Sequence, residues 1–155
     1  MIRRAIAADI PAINKLLRQV LDVHADGRPD LFRVGTVKYS NEKLAKILQQ
    51  PTIPFFVAVD ENNNVIGYAL CEYRAIKDNQ FIHDLNYCYI DDICVDKDQR
   101  GKGIGTMLYE HVKQQARADG YEAIRLNVWC LNESAIRFYE KLGLVPLSMI
   151  MEENL

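Results

Sequence analysis

The segment Val95-Asp-Lys-Asp-Gln-Arg-Gly-Lys-Gly-Ile-Gly-Thr106 constrains this chain more than any other. A β-rich run, Ile82 to Val95, precedes it, and Ile104, Leu108, Val112 and Ala116 follow at helical spacing. The chain must therefore turn from strand to helix through alternating glycines, with Arg100 and Lys102 interleaved. Glycines let backbone N–H groups approach an anion without Cβ obstruction, and a helix N-terminus adds a favourable dipole. The turn reads as a cradle for a phosphate or pyrophosphate. A nucleotide P-loop would need a lysine directly before Thr106, where Gly105 stands. A dinucleotide fingerprint would need glycine at Thr106 or Leu108, so both familiar phosphate loops fail on spacing.

The rest of the chain reads as alternating elements. Ile2 to Ala7 is a short strand, and a helix follows with Asp9 as cap, Pro11 in its first turn and Ile10, Ile13, Leu17, Val20 and Leu21 on one face. His24 to Phe32 is turn-rich. Ser40 caps a second helix carrying Leu44, Ile47 and Leu48, which Pro51 stops. Phe55 to Val59 and Val65 to Tyr73 are strands joined by Glu61-Asn-Asn-Asn64. Gly120 ends the helix after the glycine turn, and Ile124, Leu126, Val128 and Cys130 alternate as a strand should. Asn132 caps a further helix ended by Gly143, and Leu144 to Glu152 reads as a last strand. The order β-α-α-β-β-β-α-β-α-β predicts an α/β domain with a mixed sheet.

Composition narrows the function classes. The 155 residues suit one domain over 1–155, and 49% apolar with 26% charged residues excludes disorder. Nineteen basic against 21 acidic residues give a net charge of −2, which weighs against a nucleic-acid surface. No stretch of about 20 apolar residues spans a membrane, and Met1-Ile-Arg-Arg-Ala lacks a signal-peptide core, so a cytoplasmic protein is expected. Cys71, Cys88, Cys94 and Cys130 lack zinc-ligand spacing and lie in strand-like stretches, so they read as reduced thiols and no metal is expected. His24, His83 and His111 match no triad or metal spacing.

Arg100-Gly-Lys-Gly-Ile-Gly105 resembles Arg/Gln-x-x-Gly-x-Gly/Ala, the acyl-coenzyme A signature of the GNAT superfamily of N-acetyltransferases. The preceding Tyr89-Ile-Asp-Asp-Ile-Cys-Val95 strand and the following Asn132-Glu-Ser-Ala-Ile-Arg-Phe-Tyr-Glu-Lys-Leu-Gly143 helix match in order and spacing. The resemblance covers nearly the whole chain. It implies a GNAT-like single domain, with a central mixed, mostly antiparallel sheet of about six or seven strands flanked by about four helices.

By this resemblance, acetyl-coenzyme A is the cosubstrate. Its pyrophosphate is implied on Arg100, Gly101, Lys102, Gly103, Ile104, Gly105 and Thr106, and its pantetheine arm on the backbone of Ile93, Cys94 and Val95. That strand and the one ending at Cys130 are expected to splay apart. Asn132 matches a position that contacts the coenzyme, and Tyr139 matches the phenol that protonates the departing thiolate. A thiol has a pKa of about 8.5 against about 10 for a phenol, so the proton transfer is reasonable. An amine acceptor is an ammonium at neutral pH and must lose a proton before it attacks. Asp91, acting through a water, with Asp92 second, is the expected base, because a carboxylate in an apolar strand needs a reason to be there. Adjacent strand residues point to opposite faces unless a bulge intervenes.

The acceptor wall is implied in the two N-terminal helices and the loop after them, including His24, Asp26, Arg28, Asp30, Phe32 and Tyr39, with Glu72 on a neighbouring strand as a binder of the ammonium. Paired acids suit a small cationic amine. A protein N-terminus or lysine, and a non-catalytic acyl-coenzyme A-binding module, are the alternatives. Direct transfer in a ternary complex is preferred to an acetyl-cysteine route through Cys94 or Cys130, since neither has a histidine close in sequence. No nucleic-acid or membrane partner is expected, and the sequence leaves room for a homodimer.

Overall fold

A computed structural model describes residues 1–155. Strands β1 (Ile2–Arg4), β2 (Phe55–Val59), β3 (Val65–Ile76), β4 (Leu85–Val95) and β5 (Ala123–Leu126) form one sheet in sequential order. Successive pairs are antiparallel except β4 with β5, which run parallel, so the sheet is mixed and mostly antiparallel. Helices α1 (Ile10–Gly27) and α2 (Asn41–Leu48) cover one face, and α3 (Ile104–Ala118) covers the other. Helix α4 (Glu133–Lys141) follows β5. Ser40 caps α2 by accepting from the Lys43 backbone N–H at 3.1 Å, which ties the helix start to its sequence signal.

Strand β2, Phe-Phe-Val-Ala-Val, is buried throughout because both of its faces meet helices. Phe55, Val57 and Val59 join Ile13, Leu17 and Leu44 beneath α1 and α2, whereas Phe56 and Ala58 join Leu108 and Val112 beneath α3. The same two-sided alternation runs through β3, with Tyr68 and Leu70 on the first side and Ala69 and Cys71 on the second.

In β4 the alternation reverses partway. Cys88 and Ile90 face α3, but Cys94, an even number of residues on, faces α1 and α2. Between them Leu70 opposes Asp92 while Cys71 opposes Ile90, so Asp91 is an extra residue with no opposite on β3. This β-bulge is what turns Cys94 to the other core.

Two expected strands are corrected. The strand expected through Cys130 ends at Leu126, since the last β4 pair is Ile90 with Leu126 and the bulge follows at once. Cys130 is consequently exposed in a turn, while Cys71, Cys88 and Cys94 are buried, and all four thiols are free. Leu144 to Glu152 forms no strand: Val145, Leu147, Met149, Ile150 and Met151 are exposed. An apolar run becomes a strand only where a neighbouring strand receives its N–H and C=O groups; here the Leu144 N–H closes the end of α4 on the Tyr139 carbonyl at 3.1 Å, and no strand lies alongside the rest. The sheet accordingly has five strands rather than six or seven.

Candidate active site

A cleft of about 940 Å³ opens where β4 and β5 part company. The two strands pair only along Tyr87–Ile90 and Ala123–Leu126. A bulge bends its strand and increases the local twist. The bulge at Asp91 thus coincides with the end of pairing, and Ile93, Cys94 and Val95 continue along β3 with no strand on their other edge. All three line the cleft, as do Asn127 to Trp129 opposite them.

The glycine turn lies at the mouth of this opening. Gly101 and Gly103 both hold φ of +79°, a left-handed backbone that glycine adopts without Cβ strain. No backbone N–H from Arg100 to Thr106 donates to a backbone carbonyl, and α3 begins within that stretch. Unsatisfied donors beside a helix N-terminus are the donor set a pyrophosphate requires, so these residues fit a phosphorylated carrier. Arg100 Nε donates to the Val95 carbonyl at 3.3 Å and folds the turn back on β4, while Lys102 Nζ donates to Gln99 Oε1 at 2.8 Å. Arg100, Gly101, Gly103, Ile104, Gly105 and Thr106 line the cleft and Lys102 does not. A Cβ on Gly105 would lie 3.2 Å from Phe138, so α3 starts in close contact with α4.

The acids stand on the opposite wall. Tyr68, which is fully buried, donates its hydroxyl to Asp92 Oδ2 at 2.6 Å. Burial pushes the Asp92 carboxyl above its ordinary range, against the Tyr68 hydrogen bond and the charge of Lys38. Asp91, on the bulge, accepts from Lys38 Nζ at 2.8 Å and from the Tyr39 hydroxyl at 3.4 Å. Both acids line the one cleft, which an unbulged strand would not allow. Tyr139 and Asn132, from α4, line it as well. Burial holds the Tyr139 phenol above its ordinary value and the Asp92 charge adds to that, so it keeps its proton at neutral pH. Asn132 Oδ1 caps α4, accepting from the Ala135 N–H at 3.2 Å.

Three aromatic rings form a further part of the wall. Phe32 lies 5.0 Å from His24 and meets Trp129 edge-on at 5.1 Å. Burial lowers the His24 pKa, keeping it neutral at physiological pH. Glu72 lies elsewhere: it accepts from Arg74 at 2.7 Å and does not line the cleft. The Cys94 thiol is pushed up to about 12 by burial, with Asp92 adding to the shift.

Lys38, Tyr68 and Trp129 were not singled out by sequence. Lys38 and Asp91 are separated by 53 positions, and no spacing rule links them. Trp129 carries the one available signal, as a large aromatic in the run just after β5.

A parted sheet over a turn of free N–H groups, with a phenol and carboxylates about one cleft, suits acyl transfer from a long phosphorylated carrier. Comparison with known proteins identifies the family. The family described as "Acetyltransferase (GNAT) family" matches residues 17–144, and the chain belongs to it. That family uses acetyl-coenzyme A as cosubstrate. The chain is 36% identical over 57% of its length to the streptothricin acetyltransferase of Streptomyces lavendulae, covering 42% of that protein. It is 27% identical over 96% of its length to the thialysine N-epsilon-acetyltransferase of Bos taurus, covering 85% of it. The alignments with the first curated relatives span 38% to 50% of those proteins' lengths. Among solved structures, a tetramutant of the BH1408 protein from Bacillus halodurans superposes with a TM-score of 0.96 at 30% identity, over 100% of this chain and 99% of that one.

Proposed function

We propose that this protein transfers the acetyl group of acetyl-coenzyme A directly to a primary amine, and that the acceptor is a small cationic molecule. The observation that carries this reading is the bulge at Asp91, which gathers two carboxylates at the point where β4 leaves β5. In this reading the N–H groups of the turn from Arg100 to Thr106 take the pyrophosphate, and the free edge of Ile93, Cys94 and Val95 takes the pantetheine arm. Asn132 borders that path at the start of α4.

The chain's own groups then handle the protons. Asp91, with Asp92 beside it, attracts the acceptor ammonium and removes the proton that blocks its lone pair. The amine attacks the thioester carbonyl carbon, and Tyr139 gives its proton to the departing sulfur. A covalent route through Cys94 is disfavoured because its thiol is buried and stays protonated up to about pH 12. The streptothricin and thialysine acetyltransferases among the relatives are named for small-molecule acceptors, which supports the same substrate class.

The test is consumption of acetyl-coenzyme A with polyamines, aminoglycosides, amino acids and lysine-containing peptides. Turnover is expected with a small cationic amine. Turnover with peptides alone would refute the acceptor class, and tight binding of acetyl-coenzyme A without turnover on any amine would refute catalysis.

A further inference from the structure

The segment between α1 and α2, Arg28 to Ser40, contains neither helix nor strand, yet it delivers an amine into the cleft. Lys38 Nζ lies 2.8 Å from Asp91 Oδ2 and 5.4 Å from the centre of the Tyr39 ring. Asp92 also acts on this ammonium, and His24, neutral in the same wall, feels its charge. Lys141 is the other lysine lining the cleft, and it has no acid partner there. An ion pair whose side chains are 37% and 33% exposed adds little to stability, so the fold does not need Lys38 where it is. Its position is instead that of the acceptor ammonium in the function proposed above.

We propose that Lys38 is a self-acetylation site: with acetyl-coenzyme A bound and no external amine present, the protein acetylates its own Lys38 Nζ. The inference rests on the proposed transfer reaction and on Asp91 as its base. The ammonium gives one proton to Asp91 and through it to solvent. The nitrogen lone pair forms the N–C bond to the thioester carbonyl carbon, and the C–S bond breaks with its electrons on sulfur. Tyr139 protonates that sulfur and is restored by the second proton leaving nitrogen. The products are acetyl-Lys38, free coenzyme A thiol and one released proton, so atoms and charge balance. Burial opposes the charge on Lys38, but the Asp91 hydrogen bond and the field of both acids outweigh it and raise its pKa. The reaction therefore speeds up with rising pH across the neutral range, as more of the amine is free.

The test is a time course of the purified full chain with acetyl-coenzyme A alone, read by intact mass and peptide mapping. Lys38 is expected to acquire one acetyl group about a hundredfold faster than the exposed Lys46 and Lys77, the size of a general acid–base contribution. The rate constant should not change on dilution of the protein, because donor and acceptor are held in one molecule. Lys38→Arg should abolish the gain. Asp91→Asn and Tyr139→Phe should each slow it while leaving the slow background at Lys46 and Lys77 unchanged. Thermal denaturation of each variant verifies that it is folded. Acetylation at Lys38 no faster than at Lys46 and Lys77, or at a rate proportional to protein concentration, would overturn the proposal. If external amines turn over while Lys38 stays unmodified, self-acetylation fails alone. If neither is acetylated, the transfer reading fails with it.

Discussion

Replacing Gly103 with alanine separates backbone strain from ligand approach. Gly103 holds φ of +79°, and a Cβ built on it meets nothing within 4 Å. The substitution therefore costs only left-handed strain, about 1–2 kcal/mol. In a domain of this size that lowers Tm by about 2–8 °C. Gly120→Ala is a matched control: φ is +84°, its Cβ also meets open space, and Gly120 lies outside the cleft. The two variants should lose similar stability. Only Gly103→Ala puts a methyl group where, in the proposed function, the turn's N–H groups face the pyrophosphate. Losing one hydrogen bond to a charged group costs about 1.5–3 kcal/mol, which weakens binding about ten- to a hundredfold. Titration calorimetry with acetyl-coenzyme A, alongside thermal melts, measures both quantities. The reasoning is refuted if Gly103→Ala binds acetyl-coenzyme A as tightly as the parent chain, or if Gly120→Ala weakens binding equally.

The other expectations concern single side chains. Tyr139→Phe should lower kcat for acetyl transfer about a hundredfold or more and leave the Kd for acetyl-coenzyme A unchanged; steady-state kinetics with calorimetry checks the split. Asp92 has its folded pKa raised above 3.8, so its contribution to stability falls as pH rises from there through its folded value. Asp92→Asn keeps an acceptor for Tyr68 and should raise Tm at neutral pH, with the gain vanishing below about pH 3.8; a lower Tm at pH 7 contradicts this. Asp9, 6% exposed, accepts from Arg3 at 2.7 and 3.0 Å and from the Ile6 N–H at 2.9 Å, and the Arg3 hydrogen bonds lower its pKa. Its stabilisation is present above the unfolded carboxyl pKa and lost as pH falls through the folded one. Asp9→Asn should thus cost about 2 kcal/mol near neutral pH and progressively less in acid, as denaturant melts at several pH values would measure.

Much of the fold was legible because its signals are local. Ser40, the helical spacing from Ile104 to Ala116, and Gly120 and Gly143 after their helices each act within a few residues, and the corresponding elements form. The last expected strand does not form, because strand formation is not a local property. Leu144 to Glu152 has the composition of a strand, but a ladder depends on which backbone lies alongside. The strand through Cys130 failed for a related reason: its alternation continues past Leu126, but its partner turns away at the bulge.

The candidate site divides in the same way. From its sequence alone the chain determines the glycine turn, the helix behind it and the presence of two acids in an apolar strand, since glycine torsions and helix ends are short-range properties. Only the tertiary structure decides that the acids share one cleft, because that follows from register against β3, where Asp91 is the unpaired residue. It likewise decides that Lys38 meets Asp91 across 53 positions and that His24, Phe32 and Trp129 form one wall. Those contacts join segments distant in sequence, and packing against the sheet alone brings them together.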